Sequence, residues 1–222
     1  MLEYSHYNLC LKFDANVQGG IPKHKDMIEG WLDQKAMDSE IKDEIRKDGI
    51  DEEATEKVWC GFLSDEEGLY VPDIHFKSHM KDALSRLNVF VSKRGSKNIV
   101  HFGMIIRPDK LRFYDNDGNI IKEPSGYTEA IAHITGPQGR RSALKRNDHI
   151  DAGCSMNFHI FIAKPHGKLS KDDLENALSL GQEMGFGTNR TMGYGRYTVT
   201  KFEKCDDIKI KLGQHPLDAL KD

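Results

Sequence analysis

Apolar and polar residues alternate from the first positions of the chain. Between Tyr4 and Phe13 the residues Tyr7, Leu9, Leu11 and Phe13 are interleaved with Asn8, Cys10 and Lys12, a period of two that predicts a half-buried strand. A Gly/Pro loop, DANVQGGIP, breaks it. The period then turns helical, with Met27, Ile28, Trp31 and Leu32 at spacings of three and four. From Asp33 to Glu56 acids dominate and apolar anchors thin out, which predicts a peripheral helical insertion at about 23–57 with a solvated face.

Further along, LYVP reads as a short extended piece and Pro72-Asp73 as a helix start, with Ile74, Met80, Ala83, Leu84 and Leu87 directed inward. NIVHFGMIIR predicts a strand, and the Asp-Asn-Asp-Gly of LRFYDNDGNIIKE a hairpin reversal. A long basic connection runs from Tyr127 to Ile150, followed by an alternating strand that places Met156, Phe158, Ile160 and Ile162 on one face. Ser170 is a natural N-cap for a helix with Leu174, Ala177, Leu178 and Gly181 on its inner stripe. The last strand, RYTVTKFEK, is expected to set Tyr197 and Val199 against Thr198, Thr200 and Phe202, ahead of a loosely held polar tail. Strand, helix, strands, strand, helix, strand is the order of an α+β, ferredoxin-like antiparallel sheet with helices on one face. We expect one domain over 1–222, carrying the helical insertion and a basic loop or hairpin insertion at about 108–150.

Composition narrows the function only by exclusion. The 32 Lys+Arg and 35 Asp+Glu give a net charge of -3, so any polyanion partner must be recognised by local clusters rather than by overall charge. The four cysteines lack CxxC or CxH spacing, which suits a reducing compartment and supplies neither a disulfide framework nor a zinc site. The cytoplasm is the default location, since no leader pattern opens the chain and no run approaches the ~18 apolar residues of a membrane span.

Two local features carry cations. GFGTNRTMGYGRYTV holds Gly185, Gly187, Gly193 and Gly195 together with Arg190 and Arg196. It follows a helix and precedes a strand, the reverse of a dinucleotide-binding loop, and it lacks the lysine of a phosphate-binding P-loop. Two readings stay open: glycines serving a tight turn, or glycines letting backbone N–H groups approach a phosphate or sugar beside the two arginines. GRRSALKR sets Arg140, Arg141, Lys145 and Arg146 close together, a grip for a phosphate backbone if it projects from the sheet. His75 and His79 stand four apart on the expected helix, but without a zincin glutamate or a third ligand they predict partly exposed histidines and no metal. No GxSxG occurs, and no cysteine context marks a nucleophile.

Three of these segments, in this order, resemble the RAMP superfamily of CRISPR-associated proteins, most closely the repeated backbone subunits that line guide RNA in effector complexes. LYVPDIHFKSHMKDAL is similar to the family's extended piece entering a basic helix, at Pro72, Lys77 and Lys81, although DIHFKSH stands where the family commonly has Gly-Ser-Ser-Leu-Lys-Gly. RRSALKRNDHIDAGCSMNFHIFIA resembles its basic loop, acidic residue, glycine and strand, at Arg140, Arg146, Asp148, Gly153 and Phe158. GQEMGFGTNRTMGYGRYTV resembles its glycine-rich C-terminal loop and is the most specific match.

The resemblance implies an RRM-like core that holds single-stranded RNA in an antiviral ribonucleoprotein, with other subunits or further copies as neighbours and a DNA or RNA target paired to the guide. It implies no cofactor and no metal. The resemblance implies RNA contacts at Lys77 and Lys81, at Arg140 and Arg146, and at the loop residues Gly185, Gly187, Arg190, Gly193, Gly195 and Arg196, and the basic cluster itself adds Arg141 and Lys145 to that grip. Some relatives cleave RNA without metal through the 2'-hydroxyl, using a histidine or aspartate; by position that points to Asp14, His24 or Asp26. Three functions therefore stand open: an RNA-binding subunit, a metal-independent endoribonuclease, or a docking or mimic subunit using the acid-rich helices.

Overall fold

The computed structural model describes residues 2–33, 39–49, 59–88, 100, 103–136, 139–164 and 169–211, with the backbone alone between 130 and 144. Its centre is an antiparallel sheet built on β1 (Leu2–Phe13). The strand β11 (Ser155–Ala163) pairs with one edge of β1 and β12 (Tyr197–Lys204) with the other, while β7 (Met104–Arg107) lies outside β11. A short β13 (Ile208–Ile210) continues along β1 beyond β12, pairing Tyr4 with Ile208. Helix α3 (Asp73–Arg86) lies between β1 and β7 in the chain, and α4 (Lys171–Met184) connects β11 to β12. The strand order β12-β1-β11-β7 with two such helices is that of a split βαβ unit.

The alternation read from the sequence becomes the core. Leu9, Leu11 and Phe13 of β1 join Met156, Phe158 and Ile160 of β11 in one buried cluster, under Phe76, Met80, Ala83 and Leu84 of α3 and Leu174, Ala177 and Leu178 of α4. Phe76 meets Phe158 edge-on, with centroids 4.6 Å apart. Ser170 caps α4 as expected, and the cap is reciprocal: its hydroxyl accepts from the Asp173 N–H, and the Asp173 carboxylate accepts from the Ser170 N–H.

Three local expectations change. On α3 the inward stripe is Phe76, His79, Met80, Ala83 and Leu84, while Ile74 is half-exposed and Leu87 is exposed. The start of the helix is rotated so that a histidine, rather than Ile74, meets the core. On β12, Phe202 joins Val199 against the main core and stacks on Tyr7 at 5.2 Å. A bulge causes this: Leu11 pairs with Val199 but Cys10 with Lys201, so Thr200 is skipped and the later side chains change face. The tail expected to be loose contributes β13 to the sheet as far as Ile210.

A second sheet runs β2-β10-β4-β3, from β2 (Val17–Gln18), β3 (Ile21–Pro22), β4 (Trp59–Gly61) and β10 (Gly139–Ile150). The basic connection is a long hairpin, in which β9 (Gly126–Gly136) pairs with β10 from Gly136↔Gly139 to Gly126↔His149. The expected helical insertion contains α1 (Lys25–Asp33) and α2 (Ser39–Gly49), while its residues 34–38 and 50–57 lie outside the described residues. Ile28, Leu32 and Ile45 of these helices pack with Ile21, Leu63 and Tyr70 in a smaller core, and Met27 faces solvent. A third sheet, β5 (Leu63–Ser64), β6 (Leu69–Pro72) and β8 (Lys110–Arg112), closes the base of α3. Asp115 to Gly118 does reverse the chain, but through a single bridge, Tyr114↔Ile120, while β8 pairs with β6.

Candidate nucleic-acid interface

The glycine-rich loop begins where α4 must stop. Gly185 takes φ 74, and a Cβ there would strike the Tyr194 carbonyl. The loop then folds on itself and on the turn after β1: Phe186 N–H donates to Gly195 O at 2.8 Å, Gly195 N–H to Asn16 O at 2.9 Å and Thr188 N–H to Gln18 O at 3.1 Å. At Gly187 a side chain would meet Gln18 O, and at Gly195 the Phe186 carbonyl. Three of the four glycines are thus fixed by backbone packing within the protein, and Gly193 alone, at φ 88, has open space around it. The tight-turn reading accounts for the glycines, and what the loop presents outward is chiefly its polar groups.

Those groups gather on one side. Arg190 begins a 3-10 turn, Arg190–Met192, and its guanidinium reaches Asp82 of α3 at 3.3 Å. A cleft of about 220 Å³ opens between α3, α1 and the loop, lined by Trp31, His75, Ser78, His79, Phe186 and Arg190 among others. On the other side of Arg190 lies a second depression with Arg86, Thr191 and Arg196 in its wall. Arg196 is exposed. Arg190 therefore stands between two adjoining hollows. On α3, Lys77 is held by Asp73 at 2.6 Å, whereas half-buried Lys81 has no carboxylate partner among the described residues.

His79 forms part of the floor of the cleft and, at 4% exposure, is not the partly exposed residue its spacing suggested. Its Nε2 lies 2.8 Å from the Tyr197 hydroxyl, and its Nδ1 is buried without a partner. Gly181 of α4 makes this pair possible, because a Cβ there would collide with both the phenol oxygen and Nε2. Burial, and secondarily the charge of Arg190, lower the His79 pKa to about 4, so the ring is neutral near pH 7. Burial also raises the Tyr197 phenol, which stays protonated. Among the described residues no group of three or more His, Cys, Asp or Glu could hold a metal ion.

The base of the basic hairpin reaches the same loop through Gln18. Its Nε2 donates to Thr128 Oγ1 of β9, and its Oε1 accepts from Asn189 Nδ2, each at 2.6 Å. Close by on β10, the Arg146 guanidinium is stacked between Trp59 and Tyr127, 4.0 and 3.8 Å from the ring centroids. Trp59 is itself fixed by its indole N–H to Asp148 at 2.7 Å, and Tyr127 is 52% exposed. Lys145, the adjacent residue on β10, is half-buried. Arg140 and Arg141 stand further out on β10, opposite Thr135 and Ile134, and their side chains lie outside the described residues.

The positional catalytic candidates lie at the turn after β1 and at the start of α1. Asp14 is exposed and accepts from Thr198 Oγ1 at 2.7 Å; His24 Nδ1 accepts from the Asp26 N–H at 3.3 Å, at the start of α1. No hydrogen bond joins Asp14 to either among the described residues. Sequence reading missed Trp31 and Ser78 as parts of one cleft with His79, and the Tyr197 hydroxyl as the partner of that histidine. The His75/His79 spacing was the only signal for it, and the spacing placed both rings on a helix without saying which one faced inward.

No family model matches the chain, and no curated protein matches it. Among solved structures it is similar to a chain of a Type III-B Cmr-beta complex bound to cognate target RNA, seen by cryo-EM, with a TM-score of 0.44 and 9% sequence identity. The match covers 92% of this chain and 61% of that one, so the chain spans about 61% of the length of its solved neighbour.

Proposed function

We propose that the chain binds single-stranded RNA as a RAMP-type, ferredoxin-like backbone subunit of a CRISPR-like ribonucleoprotein, along the face formed by α3, the glycine-rich loop and the base of the basic hairpin. The observation that carries this reading is the pair of hollows on either side of Arg190, with Arg196 in the wall of one and aromatic rings in the other. A cationic ridge beside aromatic walls is what a single strand requires: charges for the phosphates and ring faces for unstacked bases. Lys81 and Arg146 extend the cationic surface, and neither has a carboxylate partner among the described residues. Lys77 contributes less because Asp73 already holds it.

The test is fluorescence anisotropy with a labelled 12-nucleotide RNA across a salt series. Each lost phosphate contact lowers the slope of log K against log salt by about 0.7 for a single strand. Arg190→Ala with Arg196→Ala is expected to weaken binding of unrelated sequences alike and to flatten the slope by about 1.4. Unchanged affinity and slope would remove this face from the reading.

A further inference from the structure

Resting on that reading, we propose a base-stacking site at the foot of the basic hairpin: the outer ring face of Tyr127 takes one nucleobase of the RNA, as the fourth layer of a column formed by Trp59, Arg146 and Tyr127.

The column is assembled by the protein alone. Trp59 of β4 and Arg146 of β10 are paired in register, and the guanidinium lies 4.0 Å from the Trp59 centroid and 3.8 Å from that of Tyr127, the spacings of stacked planar groups. Asp148 pins Trp59 through the indole N–H at 2.7 Å. Arg146 makes no hydrogen bond or ion pair among the described residues, and its Nε is buried without a partner, so the two rings are what hold it there. Tyr127 is thus backed on one face by a planar cation and is still 52% exposed, which leaves much of its other face open. A ring already held in place loses little side-chain freedom when a base settles on it.

The neighbours decide which part of the strand comes here. Glu129 is exposed and stands opposite Arg146 in the hairpin register, with no ion pair between them. Asp148 is buried beneath Trp59, and the Lys23 chain lies beside it, since a Cβ at Gly61 would meet both. A phosphate laid on the column would meet the Glu129 charge as well as that of Arg146, whereas a neutral base meets the ring. The occupant is a nucleic-acid base rather than a peptide side chain because β10 carries Arg140, Arg141, Lys145 and Arg146, which attract a polyanion. The column also adjoins the face described above: α1 follows Lys23 and brings Trp31 to the cleft beside Arg190.

Oligonucleotides of equal charge isolate the ring. Labelled U12 and an abasic 12-mer of the same ribose-phosphate backbone carry the same phosphates, so only U12 can stack. In anisotropy at fixed salt, Tyr127→Leu is expected to weaken U12 about tenfold while leaving both the abasic affinity and the salt slope as in the wild type. Tyr127→Phe, which keeps the ring, should bind both oligonucleotides like the wild type. Unchanged U12 affinity in Tyr127→Leu overturns the stacking site and leaves RNA binding standing. An equal loss for U12 and the abasic strand also overturns it, because Tyr127 would then act through the hairpin or Arg146. So does a loss in Tyr127→Phe as large as in Tyr127→Leu. Binding of neither oligonucleotide by the wild-type protein overturns both readings.

Discussion

Two regions of this molecule are built from the same residue types and use them oppositely. Beneath α3, Arg112 is almost buried and holds Asp65 through two 2.8 Å bonds, with Glu67 at 2.7 Å and the Gly68 carbonyl at 3.0 Å. Lys110 adds Glu44 and Asp65 at 2.8 Å, and Tyr70 donates to Asp48 at 2.6 Å. The Arg112 bonds, followed by those of Lys110 and the Gly68 N–H, hold the Asp65 carboxyl well below the usual carboxylate range. Across the helix, around the glycine-rich loop, Arg190 has one long ion pair, shared with Arg86, and Arg196 and Lys81 have none among the described residues. The first set of charges is consumed in holding α2 and the three strands of the third sheet together. The second remains available to a ligand, and pairing with carboxylates, more than the count of cations, separates the two.

The comparison can be broken most forcefully at Arg112. Arg112→Met removes one partner of a largely buried network and leaves Asp65 with Lys110 as its one cation among the described residues, at an expected cost of about 3 kcal/mol. Urea denaturation should show that loss, while RNA affinity of the folded variant stays as in the wild type.

The His79–Tyr197 pair gives the next effect, through pH. A histidine whose folded pKa is lowered binds its proton more readily when unfolded, so the stability it protects is complete above about pH 6.5 and is lost as pH falls toward 4. The full shift corresponds to roughly 3 kcal/mol. His6 and His159, 3.0 Å apart, are lowered mainly by burial and add to the same slope. In a pH series of denaturation midpoints, His79→Phe should therefore lose part of the wild-type decline between pH 6.5 and 4; an unaltered profile would show that His79 does not titrate as described.

Gly195→Ala tests whether the loop's glycines serve packing. Its Cβ would run into the Phe186 carbonyl at φ 70, so about 2 kcal/mol of stability should be lost. At Gly193, with open space, the cost should come from positive φ alone, about 1 kcal/mol. Equal destabilisation at both sites would argue against the packing account.

The smallest effect on stability is expected where binding suffers most. Lys81→Ala and Arg196→Ala should each change the folding free energy by less than about 0.5 kcal/mol, since neither charge is paired. Each should nevertheless weaken RNA several-fold in the same anisotropy assay. A large loss of stability with binding intact would reverse the comparison.

Much of the core was legible in the chain because burial on a sheet imposes a period of two. Tyr7, Leu9, Leu11 and Phe13, and Met156 through Ile162, went where their alternation placed them. Ser170 and Asp173 announced the start of α4 through local hydrogen bonding, and Gly185 its end. The candidate site was legible only as a list. Glycines and arginines could be read at 185–196, but Gly185, Gly187 and Gly195 proved to be required by contacts with Tyr194, Gln18 and Phe186, partners that no spacing reveals.

What the sequence by itself determined was what depends on neighbours along the chain: periodicity, caps, turns and the absence of a metal or nucleotide-loop motif. Which cations are spent on carboxylates, which face of α3 takes His79 inward, where the β12 bulge returns Phe202 to the core, and that Trp31, Ser78 and Arg190 line one cleft were decided by the tertiary structure. The reason is that each depends on groups tens of residues apart brought within a few ångströms, where Coulomb attraction, burial and steric exclusion act and local preference has no say.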